Sequence, residues 1–250
     1  MTPLWRRPIW LLGHLVALAA VLGFVRAGIW QIDRLHEKQA RNRLIAERSD
    51  GPAVEIERVA VDEARYRRVR VRGHFVDDEH VLIRNRSFEG TNGYHLVTPF
   101  IRADGSVLLV VRGWIGLDDR PPPSPSGTRT IEGLLLQSQV RRFGPKDPPT
   151  GRLAVLNRVD VARIAQQVSE RPVYPLYLQL TSPAPPPHVE PNIVDPPPRD
   201  EGPHRSYAIQ WFLFATVVVV GYPLLLRRRT AQARAADQPE SVDGERVSDV

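Results

Sequence analysis

The sequence contains no cysteine, and this absence removes several classes of chemistry. Of its 250 residues none is Cys and one is Met. Disulfides, thiolate nucleophiles, CxxC redox motifs, iron–sulfur clusters and zinc ribbons all need cysteine sulfur. The sequence also lacks GxSxG, HExxH and GxxxxGK[ST] motifs, and it has no GxGxxG after a predicted strand. A cysteine thiolate is therefore excluded as a metal ligand in this chain.

A strong, evenly spread positive charge is also missing. The net charge is +6, from 34 Lys and Arg against 28 Asp and Glu. Much of the surplus consists of arginines at positions 6, 7, 227–229 and 234, which flank two apolar segments. The remaining surplus is too small to form the basic stripe that nucleic acid requires. We therefore expect the partners to include a lipid bilayer and no nucleic acid.

The apolar residues concentrate in two segments near the ends of the sequence. Residues 9–29 and 207–226 each supply about 20 mostly apolar residues, enough for a helix to cross a bilayer core of about 30 Å. Both are predicted to be transmembrane helices. A cleaved signal peptide is the alternative for the first, but its apolar run is longer than usual and no small-x-small site closes it. In the first segment, Gly23 and Ala27 form a small-xxx-small pair that favours close helix packing. The alternative is a chance spacing in a helix that is rich in small residues.

The arginines also predict the orientation. Arg6 and Arg7 precede the first segment and residues 227–229 follow the second, so both termini are expected in the cytoplasm. The predicted division is a cytoplasmic N-terminus (1–8), transmembrane helix 1 (9–29), an extracytoplasmic domain (30–182), a Pro-rich strut (183–206), transmembrane helix 2 (207–226) and a disordered cytoplasmic tail (227–250).

The region between the two helices has mainly the pattern of β-structure. A helical pattern continues to about residue 48, where Gly51 and Pro52 end it. Alternating apolar runs separated by turn residues then predict strands at 69–75, 80–87, 94–101, 107–115, 130–140 and 173–180, with one helix at 160–168. The fold class is therefore an α+β membrane protein whose extracytoplasmic domain is a mainly antiparallel small barrel or sheet.

The start of the second apolar segment carries the most informative side chains. His204, Tyr207 and Trp211 fall at i, i+3 and i+7, on one face of a helix. A neutral imidazole next to aromatic rings at a lipid boundary can hold a haem iron axially, and Arg26 of the first segment lies at the level of a propionate. The alternative is an aromatic belt with an arginine that snorkels to the interface.

A second cluster of potential ligands lies in the central domain. His74, Asp77, Asp78 and His80 would bind a metal, or serve a hydrolase, if a turn brought both imidazoles together. The alternative is a solvated hairpin turn.

Five segments of the sequence resemble, in order, motifs of the surfeit-locus-one family of cytochrome c oxidase assembly factors. They are GIWQIDRL from Gly28, the run 66–75, GYHLVTPF from Gly93, VVRGW from Val110 and PHRSYAIQW from Pro203. The resemblance implies a two-span membrane protein, not an enzyme, that assists maturation of haem-copper oxidase. Bacterial relatives are regarded as haem a chaperones that deliver the cofactor to subunit I, and their histidine corresponds to His204. Trp30 and Gln31 are expected in partner or helix packing.

The resemblance leaves two functions open and shows some departures. The chain is expected either to bind haem a at the outer membrane edge and assist its insertion into subunit I, or to stabilise nascent subunit I as a scaffold without haem. Haem a synthase is a second expected partner in respiratory chain biogenesis, and a bacterial plasma membrane is the expected location. Many relatives have Asn two residues before the histidine, where this chain has Gly202, and Asn before RGW, where it has Val111.

Overall fold

The structure is a computed structural model that describes residues 8–140, 144, 146–168, 170–182 and 191–236. Arg6, Arg7, most of the predicted N-terminal segment, the first part of the predicted strut and the end of the predicted tail lie outside the described residues. The chain divides into two compact units. One consists of Met1–Ala40 with Asp200–Val250, and the other of Arg41–Arg199.

The first unit is built from two long helices, α1 (Pro8–Ser49, whose last turns belong to the second unit) and α3 (His204–Ala236). Both are long and apolar enough to cross a membrane. In α1 none of the most apolar 18-residue stretch is buried, and in α3 the buried share is 6%. The core helix of a soluble protein would bury such a face against other elements, so these exposures fit two helices solvated by lipid.

Both helices extend beyond the predicted apolar segments. Helix α1 ends at Ser49, where Gly51 and Pro52 follow, as the sequence predicts. Helix α3 begins at His204, inside the predicted strut, and continues to Ala236. The first ten residues of the predicted disordered tail, 227–236, are therefore helical. Arginine, alanine and glutamine dominate this stretch, and all three have high helix propensity.

The second unit contains an eight-stranded sheet and one short helix. The strands are β1 (Val54–Glu55), β2 (Arg68–Phe75), β3 (Val81–Phe88), β4 (Thr91–Arg102), β5 (Val107–Gly116), β6 (Arg129–Gln137), β7 (Val155–Leu156) and β8 (Leu176–Leu180), and helix α2 spans Val161–Val168. The six strands and the helix predicted from the sequence all occur. The Asp160 side chain accepts a hydrogen bond from the backbone N–H of Arg163 (3.2 Å) and so caps α2.

The sheet is mixed, so the expectation of a mainly antiparallel domain was wrong. The strand order is β1-β2-β6-β8-β5-β4-β3-β7, and β2 also pairs with β4. Strands β1 and β2, β3 and β7, and β5 and β8 run parallel. The long excursion through α2 lets β8 enter beside β5 in the same direction, which a short hairpin cannot do. Five strands pair in a closed ring, in the order β2, β6, β8, β5 and β4. The domain is therefore a small barrel, one of the two predicted forms.

Strand β5 lies at the centre of the core. Its side chains alternate between two hydrophobic clusters, with Leu108 and Val110 in one and Leu109 and Val111 in the other. All four are at most 2% exposed. A strand buried on both faces reads as a continuous apolar run, which explains the sequence VLLVV at this position. The strand therefore supplies a rigid frame for the residues that follow it.

Candidate functional site

The first residue of α3 is joined to α1 by a polar side-chain contact. The imidazole Nδ1 of His204 lies 2.8 Å from the side-chain oxygen Oε1 of Gln31. Gln31 is 8% exposed, although it belongs to a helix whose other faces are largely exposed. A buried amide needs a hydrogen-bonding partner, and the imidazole of His204 is that partner.

This contact determines which imidazole nitrogen carries the proton. An amide oxygen only accepts hydrogen bonds, so the Nδ1 of His204 must donate its N–H. In the neutral ring the Nε2 of His204 then keeps its lone pair and is free of a proton. Histidines that bind metals are held in this manner, with one ring nitrogen donating to an oxygen and the other directed to the metal.

The conformation of the backbone before His204 depends on a glycine. Gly202 has a φ of +70°, and its N–H donates to Oδ1 of Asp200 (2.7 Å). A Cβ at position 202 would lie 3.6 Å from the Nε2 of His204, in ordinary van der Waals contact. Asparagine is, after glycine, among the residues that best tolerate a positive φ. The departure from the Asn of many relatives is therefore a conservative one for this turn.

The other two residues of the predicted face have different surroundings. The ring of Trp211 stacks with that of Phe24 in α1 (centroids 5.8 Å apart) and meets Phe214 edge-on at 5.9 Å. Tyr207 is 47% exposed. Thus His204 and Trp211 face α1, whereas Tyr207 presents its ring to the surroundings.

On α1, the predicted residues Arg26 and Trp30 are both exposed. Trp30 is 50% exposed, and the guanidinium of Arg34 lies over its ring at 5.6 Å. Arg26 is exposed on the same helix. Both side chains are therefore accessible.

One close approach of the two helices occurs at Gly28, and none occurs at Gly23. A Cβ on Gly28 would lie 2.7 Å from Cζ of Phe212, which is closer than real Cβ contacts. No described atom lies within 4 Å of the Cβ position of Gly23, and Ala27 is half-buried. In the GIWQ motif, Gly28 therefore contacts the Phe212 ring, and Gln31 follows three residues later.

A second polar contact joins the other ends of the two helices. The hydroxyl of Tyr222 lies 2.8 Å from Nδ1 of His14, and the two rings meet edge-on at 5.5 Å. The sequence patterns described above do not identify Tyr222. Its signal is a tyrosine hydroxyl inside a largely apolar run that after Tyr207 otherwise has only Thr216 and Gln210 as polar residues.

The His74–His80 cluster is a structured turn. Asp77 accepts a hydrogen bond from the backbone N–H of Ser124 (2.8 Å) and faces the Arg112 guanidinium at 3.6 Å. The Nδ1 of His80 lies 2.7 Å from the backbone oxygen of Asp77. Within the described ranges, no group of three or more potential ligands could hold a metal ion. The alternative of a hairpin turn fits these contacts.

The RGW segment of β5 holds neighbouring loops. Arg112, 1% exposed, donates to the carbonyls of Pro122 and Pro123 (both 3.0 Å). Trp114 exchanges backbone hydrogen bonds with Asn192, at 2.7 and 2.9 Å. A Cβ on Gly113 would lie 2.6 Å from the Asn192 carbonyl oxygen. The end of the Pro-rich segment is therefore packed on the sheet rather than being a free strut.

The return of the chain to α3 is also fixed to α1. Within the second unit, the Arg199 side chain pairs with Asp50, and Asn42 donates to the Arg199 carbonyl (2.8 Å). Within the first unit, the Gln39 amide donates to Glu201 (3.2 Å). These contacts limit the freedom of the backbone that leads to His204.

Comparisons with known proteins agree with the resemblance seen in the sequence. An uncharacterized SURF1-like protein of Mycobacterium tuberculosis is 28% identical over 268 residues, covering 95% of this chain and 93% of the relative. A SURF1-like protein of Rickettsia bellii is 32% identical over 102 residues, 40% of this chain and 42% of that protein. The cytochrome oxidase assembly protein SHY1 of Saccharomyces cerevisiae is 43% identical over 60 residues, 24% of this chain and 15% of the yeast protein. The model of the SURF1 family matches residues 18–216, and the chain therefore belongs to the SURF1 family.

Proposed function

We propose that this protein is a cytochrome c oxidase assembly factor that binds haem a through His204 and assists its insertion into subunit I. Membership of the SURF1 family and the similarity to yeast SHY1 support the role in oxidase assembly. The observation that carries the haem proposal is the 2.8 Å contact between His204 Nδ1 and Gln31 Oε1. It leaves Nε2 available as an axial ligand.

The exposed side chains of α1 and α3 offer the groups that a haem requires. The cofactor supplies an iron that accepts an axial imidazole, a large apolar ring and two anionic propionates. The exposed rings of Trp30 and Tyr207 offer apolar surface, and the exposed Arg26 guanidinium offers a partner for a carboxylate. Gln31 and Trp211 support the site indirectly. Gln31 orients the imidazole of His204, and Trp211 packs α3 against Phe24 of α1.

The proposal includes the location. Both termini lie in the cytoplasm and the β domain lies outside the plasma membrane of a bacterium. The arginines at 227–229, which follow the apolar segment of α3, and Arg6 and Arg7, which precede α1, support this orientation. His204 then lies at the outer membrane edge. Haem a synthase would supply the cofactor there, and subunit I would receive it.

The test is spectroscopic. The full chain is purified from cells that make haem a, as wild type, as His204→Ala and as His36→Ala. His36 is an exposed histidine of α1, so its substitution controls for loss of any imidazole. We expect a Soret band in the wild type and in His36→Ala, and its loss in His204→Ala. A wild type without a Soret band, or an unchanged band in His204→Ala, would refute haem binding through His204.

Deletion of the gene tests the wider role in assembly. Selective loss of the haem a band from membranes, with b and c haems unchanged, is the expected result. If complementation with His204→Ala restores that band fully, the protein acts instead as a scaffold that stabilises subunit I without binding haem.

A further inference from the structure

A polar cavity of about 410 Å³ lies in the β domain, and no residue named for the His204 site lines it. This volume is within the range of small-molecule binding pockets. Strands β3, β4 and β8 contribute Arg86, His95 and Tyr177 to its wall. The segments around β7 and after β6 contribute Arg158 and Gln139.

Local backbone geometry places Arg86 in this wall. The pairing of β3 with β4 shifts register between Ile83 and Arg86, and Asn85 has a φ of +59°. Such a bulge redirects the side chain that follows it. The backbone carbonyl of Arg86 accepts a hydrogen bond from Nε1 of Trp114 (3.1 Å), which fixes the residue after the bulge.

The two arginines of the wall repel each other, and among the described residues no ion pair joins either of them to an acidic side chain. Burial, and then the positive charge of Arg158, lower the pKa of Arg86. The Arg86 guanidinium donates at 3.4 Å to Gln139 and to the Asn85 carbonyl, both neutral acceptors. Asp195 also lines the cavity, but in the part of the chain that the structure describes no ion pair joins it to either arginine. The pair of guanidiniums therefore has unused capacity for an anion.

The neutral groups of the wall add hydrogen-bond donors. Burial raises the pKa of Tyr177 to about 12, so its hydroxyl keeps its proton. That hydroxyl accepts from the Gln139 amide (2.7 Å) and retains its own O–H to donate. Burial, and then the charge of Arg86, lower the pKa of His95 to about 4, so the imidazole is neutral near pH 7 and carries one N–H.

We propose that this cavity binds a small oxyanion, a carboxylate or a phosphate group, between the guanidiniums of Arg86 and Arg158 and the hydroxyl of Tyr177. Two positive charges facing one half-enclosed cavity are stabilised by an anion, and the donors around them match the acceptor oxygens of such a group. The site is independent of the haem site and does not depend on the proposed function.

Calorimetric titration of the purified full chain with inorganic phosphate, and separately with citrate, tests the proposal. We expect wild type to bind at least one of the two probes. Arg86→Gln and Arg158→Gln are each expected to raise the Kd at least tenfold, and Tyr177→Phe several-fold. Arg72→Gln is the matched control, because Arg72 is an exposed strand arginine outside the cavity wall.

The two probes distinguish the ligand chemistry, since binding of phosphate alone assigns a phosphate group and binding of citrate alone a carboxylate. Binding of neither probe by wild type overturns the proposal. So does an equal Kd for wild type and Arg86→Gln, or an equal loss in Arg72→Gln. Circular dichroism shows whether a variant is folded. If Arg86→Gln is not folded, Arg86→Lys, which keeps the charge, is used in its place. A haem spectrum of the same samples separates this result from the haem proposal.

Discussion

The imidazole of His204 and the amide of Gln31 form a 2.8 Å hydrogen bond between the start of α3 and the buried face of α1. The bond sets the tautomer of His204, because the amide oxygen accepts only from an Nδ1 that carries hydrogen. In consequence the role of Gln31 is one of positioning. It does not bind the ligand itself, but it orients the imidazole, and in the neutral ring it keeps the proton on Nδ1 and leaves the lone pair on Nε2.

Gln31→Ala is therefore expected to weaken haem a binding about 10- to 100-fold, the usual cost of removing the partner that orients a metal-binding histidine. The measurement is a Soret titration of the purified chain. Gln210→Ala removes an exposed amide from α3 and should leave the affinity unchanged. Equal affinities in wild type and Gln31→Ala would contradict the positioning role.

Position 202 is expected to accept asparagine but not valine. The backbone there has a φ of +70°, which asparagine adopts readily and a β-branched residue does not. A Cβ alone fits, because it would lie 3.6 Å from His204 Nε2. Gly202→Asn should keep haem affinity and thermal stability, whereas Gly202→Val should lose about 1–2 kcal/mol of stability or weaken haem binding. Equal behaviour of the two variants in thermal unfolding and Soret titration would contradict this.

The contact between Gly28 and Phe212 predicts a large difference between two glycines of the same helix. Gly28→Ala puts a methyl group 2.7 Å from the Phe212 ring, and should destabilise the helix pair by about 1–3 kcal/mol. Gly23→Ala has open space and should be neutral. Unfolding in detergent mixtures measures both. Phe212→Leu should reduce the cost of Gly28→Ala, and a double-mutant cycle without coupling would show that the ring is not the cause.

The sequence predicts those features of this site that depend on residues close together in the chain, but not the contacts between distant residues. Hydropathy finds both apolar helices, and a spacing of i, i+3 and i+7 finds His204, Tyr207 and Trp211. The partner of His204 is 173 residues away, and its identity depends on how α1 and α3 are rotated about their axes. Small-residue spacing points to Gly23 and Ala27, whereas the ring of Phe212 is seated at Gly28, because a four-residue spacing does not say which face meets a neighbour.

In the β domain, too, the sequence predicts local features but not contacts between distant segments. Alternation of apolar and polar residues locates the strands, since it depends on neighbours two residues apart. Strand order does not follow from alternation, so the parallel entry of β8 beside β5 was missed. Similarly, proline composition predicts an extended strut but does not predict that Asn192 pairs with Trp114.

That pairing predicts a strong effect of a small substitution in the RGW segment. Gly113→Ala would bring a Cβ to 2.6 Å from the Asn192 carbonyl oxygen and from Cβ of Pro191, so backbone must move. We expect a loss of about 1–3 kcal/mol in the free energy of unfolding, and faster proteolysis of the segment around Asn192. Gly51→Ala, which meets open space, is the control. A Gly113→Ala protein with the stability of wild type would contradict the packing described for Asn192.

His95 makes a prediction about pH. Burial, and then the charge of Arg86, lower its pKa in the folded protein to about 4, from an ordinary value of 6.5. Between these values the unfolded chain binds the proton more readily than the folded one, so stability must fall as the pH falls from about 6.5 to about 4. A difference of this size corresponds to about 3 kcal/mol, and little more is lost from this group below pH 4, where both states are protonated.

The carboxylates of the chain also titrate in this range, so the informative quantity is the difference between wild type and His95→Gln. We expect the stability of the wild type to fall about 3 kcal/mol more than that of His95→Gln between pH 6.5 and 4, measured by chemical unfolding. Arg86, Arg158, Tyr177 and Asp195 line the same cavity as His95. A bound oxyanion beside the imidazole would favour its protonated form and raise its pKa. Saturating phosphate or citrate, whichever binds, should therefore reduce the difference in pH-dependent stability loss between wild type and His95→Gln. In the Arg86→Gln background the anion should no longer have this effect.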